Sequence, residues 1–92
     1  MKIIFKYELR NCYHGADNTV YMPEKYELLD IQNQNGTVCL WAIVDSMATK
    51  VAHVFCVIGT GFGDDVLENG SKYLRTVQYR EFVWHIFESG TL

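Results

Sequence analysis

The 92-residue chain is 49% hydrophobic and 14% aromatic, with 21% charged residues and one proline, which excludes disorder and bounds it to a single domain, residues 1–92, with one core. Its formal net charge is −3, and eight Lys and Arg residues are scattered along it, so no basic stripe is present to release counterions from a duplex. Cys12, Cys39 and Cys56 are odd in number and form no CxxC pair, and two of them lie in apolar runs; they read as free thiols of a reducing compartment.

Lys2 to Leu9 alternates, with Ile3, Phe5, Tyr7 and Leu9 on one face and Lys2, Lys6 and Glu8 on the other; only Ile4 breaks the pattern of a half-buried strand. The polar run from Asn11 to Asn18 is a loop. A short β-prone piece, Thr19 to Met22, stops at Pro23, which cannot donate to a ladder and belongs at an edge or corner. Tyr26 to Gln34 is extended again, and Asn35-Gly36 supplies the positive-φ pair of a type I′ hairpin turn. The return strand, Thr37 to Val44, is apolar on both faces and reads as a central strand covered on both sides. Asp45 to Lys50 is a loop, Val51 to Ile58 a strand, Gly59 to Gly70 a glycine-rich acidic loop, and Lys72 to Tyr79 a further strand. The last, Phe82 to Phe87, is dense in β-branched and aromatic residues.

No segment keeps apolar residues at i, i+3, i+4 and i+7 between plausible caps; at most one helical turn fits within Val66 to Leu74. The fold class predicted is all-β, a small antiparallel barrel or a compact two-sheet sandwich of six or seven strands. Phe5, Leu40, Trp41, Phe55 and Trp84 are its expected core. Charged residues recur at Lys6, Glu8 and Arg10 before a signal-peptide h-region develops, and no run approaches the ~20 apolar residues of a membrane span. On these grounds a soluble, cytosolic protein is expected.

The stretch CVIGTGFGDD, Cys56 to Asp65, sets three glycines at alternate positions after an apolar run, as a phosphate-cradling loop can. Asp64 stands where a third fingerprint glycine belongs, Asp65 follows, and no helical pattern opens there, so a turn is expected. The acidic group Asp64, Asp65 and Glu68 lacks the alternate-position spacing of a calcium loop. His14, His53 and His85 match no zinc spacing with the cysteines. Three positions apart on one strand, His53 and Cys56 point to opposite faces, which opposes a nucleophile pair. No cofactor, metal or catalytic residue is predicted. The candidates left for contact are Gly59, Thr60 and Gly61 at the turn, with Trp84 and His85 on the last strand.

Lys6-Tyr7, Cys39-Leu40-Trp41-Ala42, Val44-Asp45, Gly59-Thr60-Gly61 and Phe82-Val83-Trp84-His85-Ile86-Phe87-Glu88, taken in order, resemble a family of short uncharacterised phage and prophage proteins with the pattern KYxL, CLWAxVD, GTG and VWHxFE. The chain departs from that pattern in its longer NCYHGADN segment and in Tyr79-Arg80-Glu81, where a histidine-glycine turn is usual. The resemblance implies a phage origin and the host bacterial cytoplasm, and brings no catalytic residue. With nucleophile set, metal constellation and basic stripe eliminated, the expectation is a binding protein and not an enzyme. Its partner would be a host protein or a small signalling molecule, as in counter-defence, and homo-oligomer formation is expected. The alternatives are a virion-assembly homo-oligomer and, third, a single-stranded nucleic-acid binder using ring stacking.

Overall fold

In the computed structural model, which describes residues 1–89, the alternating KIIFKYEL becomes strand β1 (Lys2–Leu9). It is followed by β2 (Asp17–Pro23), β3 (Glu27–Gln34), β4 (Thr37–Asp45), β5 (Lys50–Gly59), one 3-10 turn (Asp65–Leu67), β6 (Lys72–Tyr79) and β7 (Phe82–Glu88). Seven strands form two antiparallel sheets, ordered β1-β4-β3 and β2-β5-β7-β6. The two sheets do not close into a barrel, so the architecture is the sandwich. Residues 90–92 of the predicted domain lie outside the described residues. Among the described residues, no helix is long and apolar enough to cross a membrane.

Two hairpins set the register. Asn35 and Gly36 have φ of 51° and 91°, the type I′ pair that lets Gln34 face Thr37. Arg80, at φ 59°, opens the two-residue turn that sets Tyr79 against Phe82. Pro23 ends β2, an edge strand, where its missing N–H costs no ladder bond.

The core lies between the sheets, where Val38, Leu40, Ala42 and Val44 of β4 join Met22, Phe55, Val57, Leu74 and Ile86. Leu40 and Phe55 are fully buried as expected, but three other expected core residues are not. Phe5 is 48% exposed, because β2 packs over β4 and leaves the outer edge of β1 beyond the overlap of the sheets. Trp41 and Trp84 are half-buried. The second face of β4 lies outside the sandwich: Cys39 is buried there, while Trp41 and Ile43 are half-buried. Partial cover comes from side chains of its own sheet, with Lys6 reaching across β4 so that Nζ donates to Gln34 Oε1 at 3.0 Å.

The opposite side of the sandwich is tighter. Strand β3 approaches β6, each strand slips register once, between Leu28 and Asp30 and between Tyr73 and Arg75, and Arg75 reaches Asp30 at 3.4 Å. Such bulges bend a strand locally and let two twisted edges draw together.

Candidate binding site

The loop after β5 is a turn, as expected. Phe62 N–H donates to Gly59 O at 3.3 Å, and Gly61, at φ 90°, occupies the left-handed position that a type II turn assigns to glycine. The Asp64 carboxylate accepts from Val66 N–H at 3.0 Å and caps the 3-10 turn. That role explains one of the two acidic residues without a ligand. Val66 then packs on Cys56 and Ile58, forming a small apolar cluster on the outer face of the four-stranded sheet with Val54 and Phe87 at its margin.

Capping holds Leu67 beside the turn, and together they shape a cup of about 220 Å³ lined by Ile58, Gly59, Thr60, Gly61, Phe62, Leu67, Tyr73, His85 and Phe87. Four of the five sequence candidates, Gly59, Thr60, Gly61 and His85, therefore meet in one place. Trp84 does not join them. It faces the other side of β7, packs against the core and donates Nε1–H to Tyr79 O at 3.2 Å. Gly59 is its ladder partner, and a Cβ there would stand 3.2 Å from the indole and 3.0 Å from the Phe62 ring. Absence of a side chain at Gly59 lets both rings approach; Phe62 also stacks on His14 with ring centroids 4.3 Å apart.

The polar side of the cup is a continuous hydrogen-bond chain. Thr60 Oγ1 lies 2.8 Å from His85 Nε2, His85 Nδ1 lies 2.9 Å from Thr76 Oγ1, and Thr76 Oγ1 lies 2.7 Å from Tyr73 OH. Thr60 also donates to Val83 O at 3.4 Å. With that direction assigned, Nε2–H donates to Thr60, Nδ1 accepts from Thr76, and Thr76 accepts from Tyr73. Every group is satisfied by a neutral ring.

A second polar constellation was missed in the sequence. Buried His53 sets Nδ1 2.7 Å from Glu88 Oε2 and Nε2 2.9 Å from Pro23 O, and Tyr26 O–H donates to Glu88 Oε1. Burial, assisted by the hydrogen bond and charge of Glu88, pushes the Tyr26 phenol well above the ordinary tyrosine range. His53 and Cys56 do point to opposite faces: Cys56 donates Sγ–H to Asp17 Oδ1 at 3.1 Å on the outer side, and burial raises its thiol to about 11. All three cysteines are free. Among the described residues no group of three or more His, Cys, Asp or Glu converges to hold a metal.

A wider groove, about 610 Å³, lies elsewhere, at the β2–β3 corner, where Lys2, Lys25, Glu24, Glu27 and Asp45 mix signs around Tyr26 and Ile43. Next to it, Lys25, Lys72 and Arg75 alternate with Glu24, Glu27 and Glu88. Neither surface offers a phosphate a field of one sign.

Fold and site together define a two-sheet antiparallel sandwich with a small, aromatic-rimmed cup on an outer sheet face. The chain belongs to the family described as domain of unknown function DUF7352, whose model matches residues 1–91. No curated protein and no solved structure matches the chain.

Proposed function

We propose that the protein acts by binding, with the outer face of the four-stranded sheet around the Thr60–His85 cup as its contact surface and a protein as its target. The observation that carries this reading is the gathering of exposed Phe62, Leu67 and Tyr73 around one depression that Thr60 and His85 also line. Exposed apolar side chains scattered singly need no explanation, whereas several gathered around one depression have the make-up of a contact surface. At about 220 Å³ the cup is smaller than the roughly 300 to 1,000 Å³ of pockets that enclose drug-sized ligands. It suits a single anchoring side chain of a partner better than a whole signalling nucleotide. An enzyme reading is weaker because the His85 chain ends in hydroxyls.

The motif resemblance to phage and prophage proteins supports placing this binding in the host bacterial cytoplasm, as a small accessory protein directed against a host component. A second reading, a virion-assembly homo-oligomer, is favoured by the open edge of β1. The test is capture from host lysate by the tagged wild type and by Leu67→Arg, which puts a charge on the exposed rim. A host protein retained by the wild type and lost by the variant is expected. Equal retention by both overturns the proposed surface, and a small molecule co-eluting only with the wild type replaces the protein target by a sequestered ligand.

A further inference from the structure

We infer that the protein forms a two-fold dimer through antiparallel pairing of β1 with β1 of a second copy, centred on Phe5. This strand bonds β4 on one side and, among the described residues, has no strand on the other. An eight-residue edge with free N–H and C=O groups is a template for another chain unless it is guarded. The usual guards are weak here. Lys6 leans inward over the sheet to Gln34, and Ile4 and Phe5, at the middle of the strand, are 64% and 48% exposed.

Symmetry fixes the parity of the pairing. A two-fold axis perpendicular to the sheet keeps both inner faces on the same side, so each residue faces one an even number of positions away. Centring on Phe5 sets Lys2 opposite the partner's Glu8, Ile3 opposite the partner's Tyr7, Ile4 opposite the partner's Lys6, and Phe5 opposite the partner's Phe5. The one charged pairing, Lys2 with Glu8, is attractive and occurs twice by symmetry, and the half-covered inner residues Ile3, Phe5 and Tyr7 meet their counterparts in the gap left by the second sheets. The neighbouring registers fail on charge. One sets Lys2 opposite Lys6, and the other sets Lys6 opposite Lys6 and Lys2 opposite Arg10; like charges directly opposite are unfavourable. The second copy also covers the Phe5 ring, which the sandwich leaves open. This interface lies on the other sheet from the cup and is independent of the proposed target.

Sedimentation of wild type, Lys2→Glu, Glu8→Lys and the double variant tests strand and register together. Each single change places two like-charged pairs across the axis and should weaken the dimer by about fourfold or more. The double variant should recover the dimer, which also shows that the substituted strand folds. Independently, Phe5→Cys should cross-link to itself under mild oxidation, because opposed Cα atoms about 4.5 to 5.5 Å apart fall within disulfide range. A wild type that stays at 10.6 kDa at high concentration overturns the inference. So does a dimer indifferent to the charge exchange that does not cross-link at position 5.

Discussion

Glu88 of β7 binds His53 of β5 inside the sandwich, its Oε2 2.7 Å from Nδ1, and the other nitrogen of the same ring lies 2.9 Å from the Pro23 carbonyl. Two acceptors face one ring. Both are satisfied when both nitrogens carry hydrogen, with the carboxylate supplying the balancing charge. Tyr26 closes the set by donating to the second carboxylate oxygen, so the group ties the β2–β3 corner to the two inner strands of the larger sheet.

Glu88→Ala removes the common acceptor and leaves a buried ring N–H and a half-buried phenol without partners. It should destabilise the protein by about 2 to 3 kcal/mol, and Tyr26→Phe by about 1 kcal/mol, since each loses hydrogen bonds whose groups are poorly solvated. Urea unfolding with an unchanged m-value reads both. A Glu88→Ala variant within about 0.5 kcal/mol of wild type, the range of neutral surface changes, shows that the tie contributes nothing to the fold.

The same tie gives an alkaline limit. Burial raises the Tyr26 phenol in the folded chain, with Glu88 adding to it. A folded value above the unfolded one means the unfolded chain releases this proton first as pH rises. Tyr26 therefore contributes its full stabilisation below the ordinary tyrosine value of about 10 and loses it progressively above. Tyrosinate absorbance should show the Tyr26 signal appearing only with unfolding, and Tyr26→Phe should flatten the alkaline fall in stability. Burial also raises Tyr7, so some fall remains in the variant.

The strand list was legible because its signals are local: the alternation of β1, the Asn35-Gly36 turn, and glycines where φ turns positive at Gly36 and Gly61. Cover from above is not local. Phe5 sits on the apolar face of its strand as its pattern requires, yet the second sheet stops short of it. Trp41 lies on a strand apolar on both faces, and the pattern does not say which face receives a sheet. Phe55→Ala, at a fully buried ring, should cost about 3 to 5 kcal/mol, and Trp41→Ala less than half of that. Equal losses in thermal unfolding would mean that the outer face of β4 is as enclosed as the core.

The candidate site was half legible for a related reason. The turn and His85 could each be singled out from sequence, but Thr76 and Tyr73 join them only through the β6–β7 register, which sets Thr76 beside His85. The Tyr26–Glu88–His53 tie has no short spacing at all, since its members come from the corner and from both inner strands of a sheet.

Two turns make the same demand on backbone conformation, a positive φ that a glycine meets in one and an arginine in the other, so substitutions there should move stability in opposite directions. Gly61 is at φ 90° with open space where a Cβ would stand, so Gly61→Ala meets no neighbour and suffers only from the left-handed backbone, about 1 to 2 kcal/mol. Arg80 already bears that strain at φ 59°, with its guanidinium 5.3 Å from the Tyr79 ring centroid as partial compensation. Arg80→Gly relieves the strain and loses the ring contact, for a net gain of up to about 1 kcal/mol, or a rise in Tm of up to about 4 to 8 °C for a domain of this size. Asp64→Asn serves as the control in the same loop: asparagine caps as well as aspartate, so the melting temperature should hold. Thermal melts of the three variants decide the matter. A rise for Gly61→Ala or a fall for Arg80→Gly would mean that contacts, and not φ, govern these turns.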